Sequence, residues 1–166
     1  MIKNKPIKRN PAIVQFSKDH HFSLLLVWKV SEGLRFGVDI NRISLYIIFF
    51  FQNYLKKHFL EEEELLFKQL QENDDLRLIA EQDHQDIYCL IEKIKIKPDQ
   101  LNLIEFANRL EQHIRFEERI LFTHLQKLFS EDQLTFIAEQ MEASQSKLNE
   151  DDWADTFWIK NKEVIK

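Results

Sequence analysis

Two glycines, three prolines and one cysteine are what this 166-residue chain has least of. Each shortage excludes something. With so few helix-breaking residues, and Pro6 and Pro11 both near the start, the turns of a β architecture have little to be built from, and an all-α fold is expected. A lone cysteine, Cys89, allows no intramolecular disulfide and reads as a small core residue. Long apolar runs are missing as well: the stretch 43–51 (ISLYIIFFF) is too short to span a bilayer. The basic start, MIKNKPIKRNP, is not followed by the apolar segment of a signal peptide. No membrane association is expected, and the cytoplasm is the expected compartment. A net charge of −5 argues against nucleic acid as a partner. Nothing in the sequence points to a particular protein partner or oligomeric state.

What the chain does have is helical periodicity and an unusual load of fourteen phenylalanines for its core. Residues 1–10 read as a loose arm, 11–147 as a helical bundle with a short fifth helix, and 148–166 as an acidic, aromatic tail. In the tail, Trp153, Phe157 and Trp158 are expected to dock on the bundle. Helix 1 begins between Pro11 and Ser17, and Gly37 stops it. Helix 2 runs from an Asn41 cap to about Gln71, with Ile47, Phe51, Tyr54, His58, Glu62, Leu65 and Leu66 on its inward stripe. Helix 3 turns Ala80, His84, Ile87 and Ile91 inward and ends before Pro98. Helix 4, from about Asp99 to Phe129, carries Phe106, Leu110, His113, Glu117, Ile120, Leu121, His124 and Leu128. Ser130 with Gln133 forms a capping box for the fifth helix, whose inward residues are Leu134, Ile137 and Met141. Four long helices joined by short turns give an up-down-up-down bundle.

Two stretches repeat one pattern: HFLEEEELLF from His58 and HIRFEERILF from His113. Residues four apart share a helix face, so His58 stands over Glu62 and His113 over Glu117, each a two-toothed claw for a first-row metal. Taking each turn as a mirror, Glu62 lies 11 residues before position 73 and His84 11 after it; His84 and His113 lie 14 and 15 from position 98. His21 and His58 lie 18 and 19 from position 39, so one histidine per helix and two glutamates fall at one level. Carboxylates buried there need a compensating charge. Helix 1 leaves a choice. His21 has Leu24 and Trp28 at +3 and +7 and is preferred on periodicity; His20 follows Asp19 as His84 follows Asp83. The expected ligands are thus His21 (or His20), His58, Glu62, His84, His113 and Glu117. Six such groups without a thiolate suit two octahedral ions of iron or manganese, with zinc able to enter the same site. His124, two turns beyond Glu117, is too far to join them. Glu63 and Glu118 are expected to face a neighbouring helix or solvent, with Arg115 and Arg119 at hand to pair with them.

The pattern of a lone His, H-x-x-x-E, a lone His and H-x-x-x-E on successive helices resembles the hemerythrin-like, or HHE cation-binding, family over roughly residues 13–129. The resemblance implies a four-helix bundle around a non-haem di-iron centre, bridged by Glu62, Glu117 and an oxo or hydroxo group. The oxygen carriers of that family place a fifth His four residues after the one on helix 3, where this chain has Tyr88. They also place an Asp at +5 on helix 4, where Glu118 stands. Tyr88 is left as a phenolate ligand, a hydrogen-bond donor to a bound oxygen species, or core. The implied activity is binding or sensing of dioxygen, nitric oxide or iron. The alternative is an oxidase or peroxidase-like enzyme acting on peroxide or oxygen in oxidative or nitrosative stress defence.

Overall fold

Side-chain oxygens at the starts of the helices fix where the chain turns. In the computed structural model, which describes residues 8–144 and 153–160, Asn10 accepts from the Ala12 N–H at 2.9 Å with Pro11 in the first turn, opening α1 (Pro11–Arg35). Gly37, at φ 66°, closes it: the Gly37 and Val38 N–H groups donate to Leu34 and Gly33 carbonyls at 3.1 and 3.0 Å. Asp39, rather than the expected Asn41, then caps α2 (residues 40–69), accepting from the Asn41 and Arg42 N–H groups. Asp74 caps α3 (Asp75–Ile96) and Asp99 caps α4 (residues 100–128). The Ser130–Gln133 box opens α5 (Glu131–Ser144), with reciprocal bonds of 3.2 and 2.9 Å.

The four long helices pack in sequence and α4 closes back on α1, the up-down-up-down bundle that the turn lengths imply, with α5 laid against α1. The described residues are helical or irregular, with no strand among them. No helix among them is long and apolar enough to cross a membrane.

The buried interior is two apolar clusters with a polar layer between them. One, at the α1 C-terminal end, contains Leu26, Tyr46, Ile91 and Phe106; the other, at the α1 N-terminal end, contains Phe16, Phe67, Phe122 and Ile137. The tail docks on the first. Trp153, Phe157 and Trp158 lie 5.3–5.6 Å from the Tyr46 ring, Trp158 under the Lys29 ammonium at 4.0 Å, and Asp155 pairs with Arg42. Residues 1–7 of the expected arm and 145–152 and 161–166 towards the C-terminus lie outside the described residues. Residues 8–10 are pinned to α4, where the Asn10 N–H donates to Gln126 at 2.8 Å.

Three wide turns of π-type hydrogen bonding interrupt the long rods, at Phe51–Leu55 and Glu62–Leu66 in α2 and Glu117–Leu121 in α4. Their signature is the i to i+5 bond: Lys56 N–H to Phe51, Phe67 N–H to Glu62, and Phe122 N–H to Glu117. Each adds a residue to its turn and moves the inward stripe on by one. After Glu117 the interior is therefore Leu121, Phe122, Leu125 and Phe129; the expected Ile120 and Leu128 are 49% and 57% exposed. In the same way Leu55 replaces Tyr54 on α2. Cys89, expected in the core, is exposed on α3.

Candidate metal centre

Six side chains converge in the polar layer, contributed by all four long helices: His20 from α1, His58 and Glu62 from α2, His84 from α3, His113 and Glu117 from α4. All six are buried, with Glu62 and Glu117 fully so. They form two donor groups, His20, His58, Glu62 and Glu117 on one side and Glu62, His84, His113 and Glu117 on the other. Within each group one ligand atom per residue lies within 4.8 Å of the rest. The two glutamates belong to both groups.

The helix 1 expectation is corrected here. His21 is exposed and outside both groups, and His20 takes the place. The buried stripe of α1 is Ile13, Phe16, His20, Ser23, Val27 and Val30, and the Trp28 that favoured His21 is 50% exposed. Tyr88 joins neither donor group. It stands edge-on to Phe51 and Phe59, at 5.5 and 5.9 Å, and Phe59 stacks on His84 at 3.9 Å. Burial, with the Glu63 charge nearby, pushes the Tyr88 phenol up to about 12; outside both donor groups and set against two aromatic rings, its place in the structure is packing. His124 has swung off the inward stripe with the π turn and pairs with Asp74 at 2.9 Å.

All four imidazoles are oriented alike. Each Nε2 faces the centre and each Nδ1 faces a carboxylate outside it. His20 Nδ1 meets Glu118 and His84 Nδ1 meets Glu63, both at 2.7 Å; His58 Nδ1 faces Asp19 and His113 Nδ1 faces Asp83, both at 3.4 Å. These outer carboxylates are chain neighbours of the inner groups: Asp19 and Asp83 precede His20 and His84, and Glu63 and Glu118 follow Glu62 and Glu117. The π turns that begin at Glu62 and Glu117 help here. A wider turn rotates successive residues by less than the roughly 100° of an α-helix, so consecutive glutamates reach the centre and the adjoining helix. Glu63 and Glu118 thus face a neighbouring helix, as expected, and what each meets there is the outward nitrogen of a converging imidazole. Arg115 is not their partner, since it pairs with Glu111. The repeated Asp-His and Glu-Glu doublets were the available signal.

An Nδ1–H donated outward leaves Nε2 with a bare lone pair. The Nε2 atoms stand 3.0 to 3.3 Å from oxygens of Glu62 and Glu117, and those of His84 and His113 face each other at 3.1 Å. Yet all four oxygens of Glu62 and Glu117, and Nε2 of His20 and His58, lack a partner in hydrogen-bonding geometry. Close in distance and poor in direction, these are lone pairs aimed at common points. The local charge favours a cation of some kind. Burial lowers the proton affinity of His20, but the close carboxylate of Glu117, the hydrogen bond to Glu118 and the close carboxylate of Glu62 outweigh it and hold its pKa well above the ordinary range. The same balance lifts His58 and His84 to about 9. For Glu62, burial pushes upward and the charge of His58, with the imidazoles of His20 and His84 close by, prevails, holding it well below the carboxylate range. Buried, unpartnered and negatively biased, the donor set fits metal ions.

The family model for the hemerythrin HHE cation-binding domain matches residues 25–125. That stretch holds five of the six converging residues, with His20 just ahead of it. No curated protein and no solved structure gives a match.

Proposed function

The chain belongs to the hemerythrin HHE cation-binding domain family, and on that premise we propose that it holds two iron ions and binds or senses a small ligand there, dioxygen or nitric oxide. The observation that carries this is the pair of four-donor groups with Glu62 and Glu117 in common. One carboxylate per helix pair is available to two ions at once, and a carboxylate can bridge. The donors are imidazole and carboxylate, which suit iron; manganese and zinc are the natural competitors. Iron supplies redox chemistry and coordination positions for a small molecule.

The residues of the chain do the rest. Each group offers four protein donors, so an octahedral ion held there would keep positions open for a small ligand. Glu63, Asp83 and Glu118 accept from Nδ1 of His84, His113 and His20 and so favour the tautomer with Nε2 free, and Asp19 faces Nδ1 of His58 at 3.4 Å. Phe59 stacked on His84 and Phe122 stacked on His20 wall the centre with apolar surface, which excludes bulk water and admits an uncharged diatomic molecule.

Anaerobic reconstitution of the full chain with ferrous iron, followed by iron and protein quantitation, is the test. Two equivalents of iron per chain are expected, with new near-ultraviolet and visible absorption on admitting air or nitric oxide. Binding of one equivalent or none would sink the dinuclear reading. Iron binding without any spectral response to either gas would leave iron itself as what is sensed.

A further inference from the structure

We propose that Arg9, in the segment ahead of α1, is a positioning residue of the metal centre: acting through Glu118 it fixes the His20 imidazole and tightens the grip on the ion of the His20–His58 group. The inference rests on the dinuclear reading above.

The two outer glutamates are equivalent by position in the sequence and unequal in surroundings. Glu118 divides its oxygens: Oε1 meets His20 Nδ1 at 2.7 Å, and Oε2 accepts from Arg9 Nη2 at 3.1 Å. Arg9 also donates to the Glu118 backbone carbonyl, so it holds both ends of the residue. Glu63 meets His84 at the same 2.7 Å, but among the described residues no lysine or arginine pairs with it. Arg9 is itself well fixed. Its side chain is only 10% exposed, and its guanidinium lies 5.5 Å over the ring of Phe122, on which His20 stacks at 5.3 Å and 9°. Asn10 and Lys8 on either side are tied to Gln126 through 2.8 and 3.3 Å bonds. Arg9, Glu118, His20 and Phe122 are thus one packed unit, and Arg9 is its outermost member.

An unbraced glutamate with partial solvent access samples several rotamers, and the imidazole that it orients follows. A braced one presents Nε2 of His20 to the centre in a single pose, which removes an ordering cost from metal binding. Charge alone predicts the opposite sign, because deleting a cation beside a cation site should tighten binding. The direction of the change therefore separates positioning from electrostatics.

The experiment is equilibrium dialysis of the full chain against ferrous iron without oxygen, giving two stepwise dissociation constants for the wild type, Arg9→Ala, Glu118→Gln and the double variant. In Arg9→Ala one of the two ions should loosen by about 10-fold and the other stay near its wild-type value. Glu118→Gln should loosen one ion by about 10- to 100-fold, and adding Arg9→Ala to it should change little further, because Arg9 acts through that carboxylate. Arg9→Lys should recover part of the loss. Wild-type or tighter binding in Arg9→Ala overturns the proposal, as does a double variant whose effects add. If the wild type binds fewer than two ions, the dinuclear reading fails and takes this one with it.

Discussion

At its two ends the bundle is filled by Phe106, Ile91 and Tyr46 on one side and Phe16, Phe67 and Phe122 on the other, while its middle holds four imidazoles and two carboxylates at equal depth. Burial of an aromatic side chain at the ends is favourable by about 2–3 kcal/mol from transfer alone. Burial of Glu62 or Glu117 is unfavourable unless a counter-charge arrives. The ends thus hold the fold together and the middle draws on that stability until a cation occupies it. Fold and function are separable by mutation to the extent that this division holds.

The largest expected effect tests the ends. Phe106→Ala opens a cavity in a fully buried cluster and should destabilise the protein by about 3–5 kcal/mol, lowering Tm by roughly 6–20 °C. Calorimetry measures the loss, and iron per folded chain should stay at the wild-type value. If iron content falls with stability, the division of labour is broken. Next comes the middle. Ferrous iron at about a hundred times its dissociation constant should stabilise the wild type by ~2.7 kcal/mol for each ion held, raising Tm by roughly 5–10 °C per ion. Glu62 belongs to both donor groups, so Glu62→Gln should abolish that rise, with both ions lost. Melting with and without metal decides it, and a surviving rise would remove Glu62 from its shared role.

The division also explains what could be read in the sequence. The apolar ends were legible because helix starts and stops are local chemistry: the Ser130–Gln133 box and Gly37 behave as their residue types dictate. The His58–Glu62 and His113–Glu117 claws were legible because four-residue spacing holds within one turn whatever follows. Two things were not. The π turns break the 3.6-residue period, and nothing in EEELL or EERIL announces an extra residue, so Ile120, His124 and Leu128 were assigned inward while Phe122 and Leu125 were missed. On α1 the buried stripe includes Ser23 and lies beside a buried Lys29, polar residues that give no apolar periodicity, whereas Leu24 and Trp28 read as core. That inversion favoured His21. The Asp-His doublet shared by α1 and α3 carried the better signal, since a metal-facing imidazole needs an acceptor behind it as much as an apolar neighbour below it.

The smallest effect tests the same chemistry outside the middle. Asp74 and His124 form a carboxylate–imidazole pair like the buried ones, but with side chains 17% and 31% exposed. Asp74 also caps α3, accepting from the Leu76 and Arg77 N–H groups at 3.0 Å. Burial nudges its pKa up, but the hydrogen bond from His124 and those from the backbone outweigh this and hold it below the ordinary range. A depressed carboxylate stabilises the fold above its unfolded value, ~3.9, and that contribution drains away as pH falls through the lower folded value. Asp74→Asn keeps a competent cap and removes only the charge. At pH 7 it should cost about 0.5–1 kcal/mol, the modest size solvent allows an exposed pair. Below pH 4 the gap between the two melting curves should close. A gap that persists to pH 3 would mean that cap geometry, not charge, is what Asp74 contributes. Water already stabilises this carboxylate, whereas Glu62, with the same kind of partner and no water, depends on the imidazoles around it and on any cation they help to hold.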